Sequence, residues 1–215
     1  MPISFIRNCS FTFDEVGNQT SISTNFDGSG NDTLLVVGCR STATGTQRIS
    51  GVTYGGESLT LLHQLDVGTS YYDFFYKIGP KTGTNTLQAN RGSASEGLIF
   101  FNGCLYGGIN QHSNPNVSGT NTTSSTSITK TLTTTKNNCW GLAFCVTSGS
   151  TLSVDENLTF RTSTSYQLPI GDTNGNISPA GNITMGFNVT PTRDMGIIMS
   201  CFSPALKPQV SGFLL

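Results

Sequence analysis

One segment limits what this chain can become: Ile49-Ser-Gly-Val-Thr-Tyr-Gly-Gly-Glu-Ser-Leu-Thr-Leu-Leu. Two runs of alternating apolar and polar residues flank Gly55-Gly56. Alternation at period two is the pattern of a strand with one buried face. A Gly-Gly pair between two such runs supplies the positive φ angles of a primed two-residue turn, whose twist matches the flanking strands. The segment therefore predicts a β-hairpin, with Val52 and Tyr54 on one arm near Leu59 and Leu61 on the other.

Similar runs recur along the whole chain. Residues 4–13 and 20–26 read as outer strands, 34–39 as a continuous apolar strand and 71–78 as an aromatic one. Further strands are expected at 84–89, 98–101, 127–133, 139–146, 152–160, 183–189 and 195–202. Gly, Pro, Asn and Asp fill the gaps, as turn chemistry requires. About eleven strands with no amphipathic helix predict an all-β chain, a jelly-roll-like antiparallel β-sandwich with little or no helix. No shift of composition marks a domain boundary, so residues 1–203 are expected to form one sandwich domain. Residues 204–215 read as an extended C-terminal arm, held open by Pro204 and Pro208. The low-complexity stretch 119–135 reads as an edge strand and its loop, because Ile128 and Leu132 keep a strand pattern.

Four strands, at 34–39, 98–101, 142–146 and 197–202, are almost continuously apolar. A sandwich strand with one solvated face should alternate. Both faces of these strands must be covered, either by the chain's own long loops or by a neighbouring subunit. Charge narrows the partners. Only 11% of residues are charged, with 11 Lys plus Arg against 12 Asp plus Glu. Such a balance provides no basic surface for nucleic acid. A nearly neutral surface rich in Thr, Ser and Asn suits a place in a fixed assembly better than free dispersal. No apolar run is long enough for a membrane-spanning helix.

Catalytic and metal signatures do not emerge. The six cysteines, Cys9, Cys39, Cys104, Cys139, Cys145 and Cys201, mostly sit in core-strand contexts, where a free thiol behaves as a small hydrophobe. They lack Cys-x-x-Cys spacing, and only two His accompany them, so no zinc site is expected. Neither His63 nor His112 adjoins a Gly-x-Ser-x-Gly elbow. Asp14-Glu15 and Asp155-Glu156 are neighbours that would point to opposite faces of a strand, which forms no carboxylate dyad. Asp172-Thr-Asn-Gly-Asn begins like a calcium loop, but Ile177 and Ile183 occupy the positions of its glycine and its final acid. The chain reads as a non-enzyme without cofactor or metal.

Two features read as binding surfaces. In the aromatic strand, Tyr72, Phe74 and Tyr76 share one face, and Tyr71, Asp73 and Phe75 the other. One face belongs in the core. The other is free to stack a glycan or pack a subunit, and Tyr72, Phe74 and Tyr76 are the candidates. In the arm, Val210, Phe213, Leu214 and Leu215 are too apolar for a solvated tail and are expected to dock on a partner.

The order of several motifs is also informative: Leu34-Leu-Val-Val-Gly, then Val52-Thr-Tyr-Gly-Gly-Glu-Ser-Leu-Thr-Leu, then Phe75-Tyr-Lys-Ile-Gly-Pro-Lys-Thr-Gly-Thr-Asn-Thr-Leu. With the apolar strand at 197–202 and Ala205-Leu-Lys-Pro, this order resembles a family of β-sandwich domains found in bacteriophage structural proteins and bacterial surface proteins. The resemblance covers nearly the whole chain, and its motifs specify fold better than function. It carries no catalytic residue. It implies a structural protein of a phage-like virion: a capsid decoration (cement) protein, or a tail or fibre component. The implied partners are virion proteins and copies of the chain itself, a trimer being the favoured oligomer, with no nucleic acid and no membrane. The start, Met1-Pro-Ile-Ser-Phe-Ile-Arg, lacks a signal-peptide layout, which fits synthesis in a host cytoplasm and residence in the virion. The alternative is a carbohydrate-binding module or an adhesin-like β-sandwich.

Overall fold

In the computed structural model, residues 2–9, 12–13, 19–42, 48–92, 97–112, 115–148, 151–155, 157–163 and 168–206 are described. They are all-β. The strands are β1 (Ser4–Asn8), β2 (Thr12–Phe13), β3 (Ser21–Asp27), β4 (Leu34–Thr42), β5 (Ile49–Tyr54), β6 (Glu57–Ser58), β7 (Thr60–Val67) and β8 (Ser70–Ile78). They continue with β9 (Thr84–Arg91), β10 (Ile99–Gly107), β11 (Val117–Thr133), β12 (Trp140–Thr147), β13 (Thr151–Val154), β14 (Thr159–Phe160), β15 (Ile170–Asp172) and β16 (Asn182–Phe202).

Three antiparallel sheets stack into a sandwich with a middle layer. The middle sheet runs β1-β10-β4-β8-β7, with β2 also on β10. The second sheet, β3-β9-β5-β6, covers one of its faces. The third, β11-β16-β12-β15-β14 with β13 on β16, covers the other. This arrangement explains the continuous apolar runs. Along β4, Leu34 and Val36 pack toward the third sheet with Phe144 and Ile198, while Leu35, Val37 and Cys39 pack toward the second with Val52 and Leu87. Period two persists, but both faces are apolar because both are core. The cover is neither loop nor neighbour: it is the chain's own sheets.

The third sheet builds another core by folding over. In β16, Ile183, Met185, Phe187 and Val189 alternate with polar residues, and Met195, Ile197, Met199 and Cys201 continue the same parity. Between them that parity holds Pro191 and Arg193, both exposed. The β11–β16 ribbon doubles over there, with a bulge between Ser125 and Ser127, so its apolar face packs on itself. Gly119 marks the contact of the two halves, since a Cβ there would lie 2.9 Å from Lys130 Cε and 3.2 Å from a methyl of Leu132. Side chains also stitch the edge: Asn121 Nδ2 donates to the Thr129 carbonyl at 2.9 Å, and the Thr135 N–H donates to Asn116 Oδ1 at 3.0 Å. Bonds of this kind occupy backbone that a bare edge strand would offer to another chain.

The hairpin forms as expected at its turn, with φ of 57° at Gly55 and 81° at Gly56. Its second arm then changes sheets. Glu57 and Ser58 pair with β5, the Leu59 N–H donates to the Val52 carbonyl at 2.8 Å, and from Thr60 the chain pairs with β8 instead. Leu59 therefore stays beside Val52 in the second core, whereas Leu61 is 41% exposed on the middle sheet. The expected strand pair 183–189 and 195–202 is likewise one strand, β16. The stretch read as an edge strand is β11, paired on one side with β16 along its length.

Candidate functional site

The aromatic strand presents no open face. β8 lies within the middle sheet, so each of its faces meets a core. Tyr72 and Phe74 are fully buried, which corrects their assignment as glycan- or subunit-facing residues. Tyr72 Oη donates to the Thr147 carbonyl at 3.0 Å, and Phe74 stacks on Phe144 with ring centroids 5.4 Å apart. Phe75 fills the opposite core. Tyr76 is part-buried and lies edge-on to Phe202 at 5.9 Å. The period was legible; the covered second face was not.

The arm candidates Val210, Phe213, Leu214 and Leu215 lie outside the described residues. Its first residues return to the sandwich. Pro204 bridges Ile109, and the Ala205 N–H donates to the Gly108 carbonyl at 2.7 Å. Leu206, next in line, is 81% exposed.

Among the described residues, Asp73 and Asp172 are completely buried, and both are tied to arginines. Asp73 accepts from Gln64 Nε2 at 2.9 Å, Arg48 Nη1 at 3.1 Å and the Ile49 N–H at 3.3 Å. Burial pushes its carboxyl above the usual range, with Arg48 opposing. Arg48 also pairs with Asp66 and lies over the Tyr71 ring at 4.8 Å. Asp172 accepts a bidentate pair from Arg161, at 2.7 Å from Nε and 2.9 Å from Nη2. The truncated calcium-loop motif thus serves as an arginine clamp. Among the described residues, no three His, Cys, Asp or Glu side chains converge to hold a metal. Asp14, Glu15 and Glu156 lie outside those residues.

All six cysteines are buried free thiols. Burial pushes Cys9 and Cys201 up to about 12 and Cys39 and Cys104 well above the ordinary thiol value. A thiolate is the reactive species. Ellman's reagent at pH 8 should therefore label none of the six in the native protein and all of them in guanidinium. Rapid native labelling would contradict the packing around them.

One contact was hidden by 55 residues of sequence separation. His63 Nε2 on β7 lies 3.0 Å from Ser118 Oγ on β11. Burial, then Lys130, lowers the imidazole below its ordinary value, which keeps it neutral at pH 7. Among the described residues no carboxylate bonds His63, so the third member that orients a catalytic base is missing. His112 sits in a turn, its N–H donating to Asn110 Oδ1 at 2.8 Å.

The sheet change after Ser58 opens a groove of about 470 Å³ between β5 and β7. Val52, Leu59, Leu61 and Phe75 give it apolar walls, and Gln64 and Asn90 bring amides to it. β-Bulges flank it on both strands, between Ile49 and Gly51 and between Leu61 and His63. Bulges re-aim side chains and often adjoin binding sites. Gly51 faces open space, since a Cβ there would meet no atom within 4 Å. Among the described residues, no charged side chain lines the groove. No sequence motif announces it, because the two strands reach it from different sheets.

Compared with known proteins, the chain matches no protein-family model and no curated protein. Its sites are therefore read from their own chemistry.

Proposed function

We propose that this chain is a non-enzymatic structural component of a phage-like particle, a capsid decoration (cement) protein or a tail or fibre component. It acts through contacts with virion proteins and with copies of itself. The observation that carries this reading is the exposure of Leu206 at the start of an apolar segment of sequence. Leu206 is 81% exposed just beyond the last backbone pairing among the described residues, and Val210, Phe213, Leu214 and Leu215 follow it in sequence. Apolar side chains of this size gain about 25 cal/mol per Å² when removed from water.

The outer half of the β11–β16 ribbon supports the same reading. Across Ser127–Thr133 and the facing part of β16, its exposed residues are hydroxyls and amides, and two pairs of them bond to each other. Thr131 and Thr184 share a hydrogen bond of 2.7 Å, and Thr133 Oγ1 donates to Asn182 Oδ1 at 2.6 Å. Covering such a face leaves few polar groups unpaired, which keeps the cost of desolvation low. The motif order from Leu34 to Leu87, resembling the phage and surface-protein sandwiches, adds to it.

Light scattering at several concentrations tests the proposal on the full chain and on a chain ending at Leu206. The shorter chain keeps the pairing of Pro204 and Ala205. The expected result is a trimer or larger species for the full chain and a monomer of unchanged melting temperature for the truncation. A monomer in both cases removes self-association through the arm.

A further inference from the structure

The outer edge of β3 is open. Its register on β9 runs from Ser21 to Asp27 without a bulge. The Arg91 N–H donates to the Thr20 carbonyl and the Gly28 N–H to the Gly83 carbonyl. Alternation along an antiparallel pair then turns the backbone groups of Ile22, Thr24 and Phe26 toward β9. Those of Ser21, Ser23 and Asn25 turn the other way and have no partner among the described residues. Only Asp27, at the end of the strand, is engaged there, its carbonyl accepting from Arg7 Nη1 at 3.4 Å. An open edge templates the addition of another strand, and proteins protect such edges with bulges, charges or proline. Bulges break the edge strands β1, β7 and β11, and Asn121 takes the Thr129 carbonyl of β11. From Ser21 to Phe26, β3 has none of these devices.

The chain carries a segment that matches this edge. Gln209-Val-Ser-Gly-Phe-Leu-Leu has seven residues, as β3 has, no charge, and a backbone N–H at every position after Pro208. β3 lies against β10 and β2, so the next strand of its sheet would lie over β1. There Ile6, half-buried at the rim of the second core, would meet the inward side chains of that strand. The root of the segment and the edge share one corner. The Ala205 N–H donates to the Gly108 carbonyl at 2.7 Å, the Gly108 N–H donates to the Asn31 carbonyl at 3.2 Å, and Asn31 follows closely on β3. Residues 207–215 span about 30 Å when extended. A contact between two copies at this corner therefore brings a segment within reach of an edge. We propose, resting on the reading of the arm as a contact between copies, that the β3 edge takes residues 209–215 of a neighbouring copy as an added strand. Ser21, Ser23 and Asn25 supply its backbone bonds.

Proline on the edge tests this without breaking the sheet. Ser23 and Asn25 donate nothing to β9, so Ser23→Pro and Asn25→Pro each remove an outward N–H and leave the ladder to β9 in place. The full-length wild type and both variants are compared by light scattering across concentration and by amide exchange read residue by residue. The expected result is association of the wild type and a rise of about tenfold or more in the dissociation constant of each variant. In the associated wild type, the Ser23 and Asn25 amides should exchange about tenfold more slowly than after dilution to the monomer. Those of Ile22 and Thr24, already bonded to β9, should change little. This exchange pattern needs no variant, so it decides the matter should either proline disturb the fold. Association with the Ser23 and Asn25 amides still exchanging fast, or undiminished in both variants, overturns the edge assignment and leaves self-association through the arm standing. Protection of these amides in a chain ending at Leu206 also overturns it, because the occupant is then β3 of another copy. A wild type that stays monomeric at every concentration removes self-association itself, and the assignment with it.

Discussion

Gly38→Ala should destabilise the protein by about 1–3 kcal/mol, for the addition of one methyl group. A Cβ at Gly38 would lie 2.4 Å from Cε2 of Phe144 and 2.6 Å from its Cδ2. The ring has no direction in which to retreat. It stacks on Phe74 at 5.4 Å, meets Tyr72 edge-on at 6.3 Å, and all three are fully buried. Nor can β4 bow away, because Val37 and Cys39 press its other face against the second sheet. Urea denaturation of Gly38→Ala, Phe144→Leu and the double variant measures the conflict. The smaller side chain relieves the clash, so the double variant should be more stable than the sum of the single losses implies, with a coupling of about 0.5–3 kcal/mol. Strict additivity would mean that Gly38 and Phe144 are not in contact and that the middle sheet is not packed as described.

That glycine also shows what sequence alone could and could not deliver. The alternation around Gly55-Gly56 located a hairpin and its turn, and most strands were legible in the same way. The continuous run Leu34–Leu35–Val36–Val37 announced two covered faces. It could not announce the cover, since an apolar face has the same composition whether it meets a sheet of its own chain or another subunit. Tyr72 and Phe74 failed as a binding face for that reason. In β16 the inward parity from Ile183 to Cys201 survives across Pro191 and Arg193. These two exposed positions lie between the strands expected at 183–189 and 195–202, yet they mark the bend of one strand. The groove was invisible because a bulge at Gly51 and a change of sheet after Ser58 are decided by tertiary pairing, not by local pattern. Arg161 and Asp172 lie in a loop and a short strand with no periodicity to link them, and only the folded chain brings them together.

Their pair supports the second large effect. Arg161→Ala should cost about 3–5 kcal/mol, because it leaves the fully buried Asp172 carboxylate without its partner, and Asp172→Ala should cost less, because the Arg161 side chain it leaves is 18% exposed. The Asp172 side chain is 0% exposed and also accepts the Asn174 N–H at 2.7 Å. Arg161 makes further contacts, with Nη2 donating to Asn174 Oδ1 at 2.6 Å and the guanidinium over the Phe5 ring at 4.9 Å. Its carbonyl accepts from Asn8 Nδ2 at 2.8 Å. Phe5 and Asn8 belong to β1, at the edge of the middle sheet, so the pair ties that edge to β14 and β15 of the third sheet. A matched apolar replacement, Arg161→Met with Asp172→Leu, should recover most of the loss seen in the single variants, since it strands no charge. Amide exchange separates the tie from a general loss of stability. Local opening should speed exchange in Ser4–Asn8 and Ile170–Asp172 of Arg161→Ala more than in β4 or β10, whose amides report global unfolding. Uniform acceleration across all four strands would mean that the pair contributes to the whole sandwich and does not hold its edge in particular.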